Sequence, residues 1–440
     1  MIDNKISKLF ITFFQNLDLL KKSSVSFLLQ IIGIGLSYLF LLLVSRFYGA
    51  EGMGIYALSF TVLNITVLFG KFGLDVSCVK FIGELYEKEE FDKMKDIYRK
   101  IMFIATPINI FLSVSLYFLS PFIAEYIFNK QNLTIYFQLV SLAILPMSFR
   151  FIHSNSIRGL QKITIYAFLQ NVTMYFFALI ILGCFLLLNG KEFIYPLIAL
   201  LISMWIGFFI SVYYWIRESK YFIVNQRDWK SIKDVLLISM PLLLSSSIML
   251  VLGFSDTIML GIFKNESDVG IYNVVYKIAT AGMIIFMAMS SISAPKIAAA
   301  YGIKDFLKMK DIVLKSRKLI FLFTFPLTFI IIFFGSFILS LFGDKFVVGY
   351  FSLVILTLGF FIKSIFGISE YVLQMSAYQK ILILYSLIIA FTNIILNYLL
   401  IPQYGINGAA VASMISIIIY QILLSQKVAK VFKISLFVGM

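Results

Sequence analysis

Residues 24–45 read SVSFLLQIIGIGLSYLFLLLVS, an apolar run without one charged side chain. As a helix, a run of this length crosses a hydrocarbon core of roughly 30 Å. A helix is required there, because lipid offers backbone amides and carbonyls no partner. Working outward, comparable runs recur at residues 55–76, 101–120, 135–157, 164–188 and 194–216. A second set follows at 235–256, 271–293, 317–340, 350–373, 381–401 and 408–426. The pattern predicts an all-α membrane protein of about twelve transmembrane helices. Composition agrees: 61% of the 440 residues are hydrophobic and 13% charged, against roughly a quarter charged in soluble domains.

The chain carries 37 Lys and Arg against 22 Asp and Glu, a formal charge of +15. A basic balance of that size can mark nucleic-acid binding, but its placement points to topology, and no nucleic-acid partner is expected. With twelve spans, 28 basic residues fall in the termini and alternate loops on one side. The other side holds Arg46, Lys130, Lys191, Lys264 and Lys345. The positive-inside rule then places both termini in the cytoplasm, in a cytoplasmic (inner) membrane. Lys-rich segments 80–100 and 295–316 are patterned like interfacial amphipathic helices, with Phe81, Leu85, Phe91, Met94 and Ile97 directed at lipid, or else are solvated linkers. Cys78 and Cys184 both lie in apolar runs, so neither a disulfide framework nor a metal cluster is expected, and no cofactor.

An internal repeat divides the chain. Gly54-Ile55-Tyr56 returns as Gly270-Ile271-Tyr272, Pro107 as Pro326, Gln161-Lys162 as Gln379-Lys380, and Asn189-Gly190 as Asn407-Gly408. Each half holds an even number of spans, so both copies enter the membrane in one direction, as parallel repeats do. The expected organisation is a segment 1–23, a six-helix bundle 24–216, a linker 217–234, a second bundle 235–426 and a tail 427–440. Two pseudo-symmetric bundles enclosing a central cavity are the architecture of a transporter.

Ionisable groups at membrane depth are costly and therefore informative. Lys71 and Asp75 are spaced i,i+4 on the second span, where they could neutralise each other. Arg150 and His153, the one histidine of the chain, fall on the fourth, and Arg150 could also snorkel toward the cytoplasmic end. Asp256 and Lys277 lie on adjacent spans and could pair, Lys363 and Glu370 share the tenth, and Arg46 closes the first. An excess of cations suits a phosphate or diphosphate, which is otherwise expensive to desolvate. Candidate binding residues are thus Arg46, Arg150, Lys363, Lys71 and Lys277, and candidate ion-coupling or gating residues Asp75, Asp256 and Glu370. Gln30, Asn64, Asn109, Gln170, Asn171, Gln374, Asn393 and Asn397 are polar groups that could face a sugar or bridge helices. No catalytic set and no nucleotide-binding loop is present in the sequence, so an enzyme is not expected.

Several stretches carry a family resemblance: Ser45-Arg46-Phe47-Tyr48-Gly49 through Gly54-Ile55-Tyr56, Phe72-Gly73-Leu74, Ser255-Asp256-Thr257-Ile258-Met259-Leu260-Gly261 through Val269-Gly270-Ile271-Tyr272, Ala294-Pro295-Lys296, and Ile401-Pro402-Gln403-Tyr404-Gly405-Ile406-Asn407-Gly408-Ala409-Ala410. Over about residues 20–428 the chain resembles the oligosaccharide and polysaccharide flippases, O-antigen flippase type, of the multidrug/oligosaccharidyl-lipid/polysaccharide exporter superfamily. The resemblance implies two six-helix bundles around a cationic cavity. It also implies translocation of a polyprenyl-diphosphate-linked sugar (an O-antigen, capsule or exopolysaccharide repeat unit) by alternating access, within membrane lipid and beside a polysaccharide polymerase and assembly proteins. Arg46 and Asp256 sit in the resembling stretches, whereas Arg150 and Lys363 rest on depth and charge. The rival readings are an ion-coupled multidrug exporter, which would favour acids where this chain has four intramembrane cations to three acids, and a membrane polysaccharide-modifying enzyme.

Overall fold

A computed structural model describes residues 3–219 and 231–434, with side chains for 24–219 and 231–434 except 245, 246, 248, 249 and 252. Positions 220–230 of the expected linker, 435–440 of the tail and the side chains of 1–23 lie outside the described residues. Among those described, regular structure is entirely helical. The first two spans form α1 (Asp3–Lys71), interrupted at Gly49, and α2 (Leu74–Glu87) continues the second. The third is α3 (Phe91–Phe122), the fourth α4 (Thr134–Ser141) with α5 (Ile144–Gly159), bent by 41°. The fifth is α6 (Ile163–Ala167) and α7 (Thr173–Leu187) joined by a π-turn, and the sixth α8 (Tyr195–Ser219).

The second set begins with α9 (Ile232–Phe263), then α10 (Glu266–Ala279) with α11 (Met283–Gly302). Next come α12 (Phe306–Phe333), the short α13 (Gly335–Phe342), and α14 (Tyr350–Phe366) with α15 (Ile368–Met375). The last two spans share α16 (Gln379–Phe432), broken at Gly405. Among the described residues eight stretches are long and apolar enough to cross a membrane, and the bent pair makes a ninth. Dividing Ser24–Lys71 at Gly49 and Gln379–Phe432 at Gly405, and adding the 32-residue α9, gives the twelve expected from sequence. The chain is a multi-pass membrane protein.

The repeat is visible in the backbone. Glu89 and Lys304, Gln161 and Ala377, and Asn189 and Gly405 adopt positive φ at positions 215 or 216 apart, each where a helix turns into the next. Two buried clusters repeat with the same offset. In one, Phe81, Met94, Ile97, Ile152 and Ile157 pack together; in the other Ile297, Met309, Val313, Ile368 and Leu373 occupy the corresponding places. This corrects the reading of 80–100 as an interfacial helix. Phe81, Leu85, Met94 and Ile97 face other helices and are fully or almost fully buried, and of that set Phe91 is the exposed one. An apolar stripe at helical spacing serves a protein core as well as a lipid surface, and here α5 supplies the core.

The chain forms two compact units, Met1–Leu42 with Val62–Ser246, and Leu43–Thr61 with Ser247–Met440. The hairpin tip at 43–61 therefore clusters with the second half of the chain, and the start of α9 with the first, unlike a division at 216 and 235. Within the second unit the two copies of the repeated Gly-Ile-Tyr triplet explain this placement. A Cβ on Gly54 would run into the Glu266 carbonyl, and one on Gly270 into the Ala50 carbonyl. Small residues permit such backbone approach, the usual means of packing helices where no hydrophobic drive is available. Gly270→Ala is expected to destabilise the protein by about 1–3 kcal/mol through overpacking, read as a lower melting temperature in detergent. Gly35→Ala, at an exposed helical site with open space around it, is expected to leave the melting temperature unchanged or raise it.

Candidate functional site

In the first unit the intramembrane charges are engaged locally. Lys71 ends one helical segment and Asp75 lies in the first turn of the next, across Phe72 and Gly73, both at positive φ. The ammonium reaches the Asp75 carboxylate at 3.1 Å and lies 4.5 Å from the centre of the Phe151 ring. The i,i+4 spacing thus produces a neutral pair, capped by an aromatic face. Arg150 is 2% exposed, and its Nη1 donates to the Leu169 carbonyl at 2.5 Å. Leu169 belongs to the π-turn Phe168–Val172, where the helical ladder is disturbed and a carbonyl needs an outside donor. Among the described residues the Arg150 Nε has no hydrogen-bond partner. His153 shares a hydrogen bond with the Ser211 hydroxyl at 2.9 Å among Tyr98, Phe149 and Phe208. These contacts hold helices together.

The polar side chains of this unit act similarly. Asn109 donates to the carbonyls of Gly70 and Ala105, Gln170 to the Ser154 hydroxyl, and Asn171 to the Ala167 carbonyl.

The second unit is organised around Asp256, 4% exposed on α9. Its carboxylate accepts hydrogen bonds from the Tyr272 hydroxyl, from Asn397 Nδ2 at 2.7 Å and from the Ser413 hydroxyl at 2.5 Å. Asn393 Oδ1 accepts from Ser255 at 2.6 Å and from Asn397 at 3.1 Å. The expected Asp256–Lys277 pair is not formed: hydroxyl and amide donors surround the carboxylate. Neutral donors from three other spans satisfy the anion without a counter-cation, an arrangement that a cation or proton can complete.

Beside this hub, and inside the same unit, lies a cavity of about 220 Å³. Lys363 and Glu370, on either side of the break at Gly367, line it with Tyr276 and Gln421; Asn393 and Ser413 join it to Asp256. Among the described residues neither Lys363 nor Glu370 makes an ion pair, and both Gln421 side-chain polar atoms lack partners. Arg46 is exposed in the same unit, with one long bond of 3.3 Å to the Ser340 carbonyl. The structure thus brings Lys363, Glu370 and Asp256 together and keeps Lys71, Asp75 and Arg150 in other clusters. Gln421 and Tyr276 were not singled out from sequence. A glutamine and a tyrosine in apolar runs carry no signal until their neighbours are known.

A family model described as polysaccharide biosynthesis protein matches residues 19–300, and a second, MatE, matches 241–399. A probable low-salt glycan biosynthesis flippase of Haloferax volcanii is 24% identical over 412 residues, 92% of this chain and 83% of that protein. Among solved structures, an inward-facing multidrug resistance MATE family transporter of the MOP superfamily matches with a TM-score of 0.76. It has 14% identity, over 91% of this chain and 95% of the other. The lipid II flippase MurJ in an inward closed conformation gives 0.74 at 19% identity, over 95% and 90%. At these identities the structures establish a shared twelve-helix fold.

If Asp256 is the acceptor that organises its unit, replacing it with an apolar residue strands three donors. Asp256→Leu is expected to lower stability by about 1–3 kcal/mol for each donor left unpaired, whereas Asp256→Asn keeps an acceptor oxygen and loses less. Comparing their melting temperatures in detergent checks this, and equal losses would contradict it.

Proposed function

The chain belongs to the polysaccharide biosynthesis protein family, and from that premise we propose that it is a flippase. It moves a polyprenyl-diphosphate-linked oligosaccharide from the cytoplasmic to the outer leaflet of the cytoplasmic membrane. The observation that carries this reading is the Lys363 ammonium, which lines a cavity at membrane depth together with Glu370 and forms no salt bridge among the described residues. A cation at that depth is costly, and a diphosphate carried into the membrane recovers the cost by pairing with it. Arg46, exposed and weakly bonded, is the second anchor, while the bonds of Lys71 and Arg150 assign them to holding helices. The full-length similarity to a probable glycan biosynthesis flippase supports the same substrate class.

The mechanism is alternating access. Cations engage the diphosphate, polar side chains engage the sugar, and the polyprenyl tail stays in lipid. The chain acts as a carrier and makes no covalent change. With no nucleotide-binding loop in the sequence, the driving force is an ion gradient, the membrane potential or product removal. Asp256 is the ion-coupling residue this geometry favours, since Asp75 is already neutralised by Lys71. Both termini face the cytoplasm, and the O-antigen, capsule or exopolysaccharide class of repeat unit and an assembly with a polymerase extend the same reading.

Deleting the gene in its host is expected to cause polyprenyl-diphosphate oligosaccharides to accumulate, as measured by mass spectrometry of the lipid fraction. The wild-type gene should restore the pool, and Lys363→Ala and Arg46→Ala should restore it at least tenfold less well at equal expression. An unchanged pool with new sensitivity to cationic compounds would favour a drug exporter. Chemically altered glycans at normal levels would favour an enzyme.

A further inference from the structure

We propose that the cavity in the second unit is a saccharide subsite that takes one pyranose ring bearing an anionic group. The proposal rests on the flippase reading and specifies which part of the glycan this unit recognises. Gln421 is 2% exposed, lines the cavity and leaves both its carbonyl oxygen and its amide nitrogen without partners. Such a group inside a membrane protein is costly. Among the described buried side chains with an unpartnered polar atom, Gln421 is the one with two, and it borders a cavity that a ligand can fill. A planar amide offers one donor face and one acceptor face side by side, which is the pattern that two neighbouring sugar hydroxyls satisfy. Glu370 adds an acceptor and Lys363 a cation, and among the described residues the two form no salt bridge with each other.

Three aromatic side chains also line it: Tyr276, Phe360 and Tyr420. Tyr420 shares a hydrogen bond with Ser386 at 3.1 Å and Tyr276 packs edge-on against Phe360, so the rings are held in place and can receive the C–H face of a sugar. The volume of about 220 Å³ corresponds to about seven waters at roughly 30 Å³ each and falls below the roughly 300 Å³ at which drug-sized pockets begin. A single ring fits that interval; a long glycan does not, and its remainder must lie outside. Lys363 pairs with the anion of this ring, a phosphate on its anomeric carbon or a uronic carboxylate. Asn393 and Ser413 form the wall shared with the Asp256 network, so the occupied subsite touches the residues that hold the candidate coupling carboxylate.

The test is saturation-transfer NMR on the full-length protein in detergent, with glucose, galactose, N-acetylglucosamine, their 1-phosphates, glucuronate and galacturonate as probes, and inorganic phosphate as a competitor. At least one anionic sugar is expected to bind at least tenfold more tightly than its neutral counterpart and than phosphate. Lys363→Met should erase the difference between anionic and neutral forms. Which anionic class binds separates the anomeric phosphate from the uronic acid. Gln421→Leu should weaken every sugar at least tenfold while the melting temperature stays equal or rises, because the substitution removes two unpartnered polar atoms. A falling melting temperature would mark Gln421 as a structural residue. Absence of any sugar signal, binding of phosphate alone as tight as its sugar ester, or full binding by Gln421→Leu overturns the subsite. If those results come with normal rescue of the lipid-linked pool by Gln421→Leu, the flippase reading stands without the subsite. Sugar binding in a chain whose deletion leaves that pool unchanged removes the flippase reading instead.

Discussion

Inside a hydrocarbon layer a polar atom can take its partner only from the protein or from what the protein carries. Water is not available to repair an unmade hydrogen bond, so each polar side chain at depth is either satisfied, neutralised or reserved. The backbone meets this constraint with helices throughout, and where a helix loosens a side chain completes it. Arg150 reaches the π-turn carbonyl of Leu169, and Asn109 reaches that of Gly70, next to the break after Lys71. Asp256 draws donors from Tyr272, Asn397 and Ser413. Other buried atoms, the Arg150 Nε among them, also lack partners, but Lys363, Glu370 and Gln421 stand out because they occur together in one cavity.

The two units use charge differently. In the first, Lys71 and Asp75 cancel and an aromatic ring covers the ammonium. In the second, a carboxylate held by neutral donors stands beside a cavity lined by Lys363 and Glu370, which form no salt bridge among the described residues. Asn393 and Ser413 belong to both, so an event at the carboxylate and an event in the cavity act on the same two side chains. Coupling an ion to a cargo requires shared structure of this kind, since a site can influence another only through groups whose arrangement both affect.

Much of the fold was legible in the sequence because the membrane imposes a simple code of length and polarity. Twelve spans could be placed from apolar runs, and the duplicated Gly-Ile-Tyr triplets marked equivalent positions that the structure shows in close backbone approach. The extensions beyond the spans were misread, since Phe81 and Met94 carry the same periodicity whether lipid or protein covers them, and the two buried clusters showed which. The site was less legible. Lys71 could be matched to Asp75 by spacing, whereas Arg150 and Lys363 look alike as isolated charges in apolar runs. What separates those two is that Arg150 reaches the Leu169 carbonyl on the neighbouring span and Lys363 lines a cavity, which depends on how the helices pack. Gln421 was invisible for the same reason. Its meaning lies in the bonds it does not make.

The central claim is that this membrane protein carries a glycan headgroup from one leaflet to the other. The most direct measurement reconstitutes the purified chain into vesicles bearing polyprenyl-diphosphate oligosaccharide isolated from a deletion strain and follows how fast a membrane-impermeant glycosidase trims it. The account predicts that the fraction of substrate open to the enzyme rises well beyond that in protein-free vesicles, and that Lys363→Ala removes most of the gain. Trimming that stops at the same protected fraction with and without the protein, under an imposed ion gradient as well as without one, would contradict it.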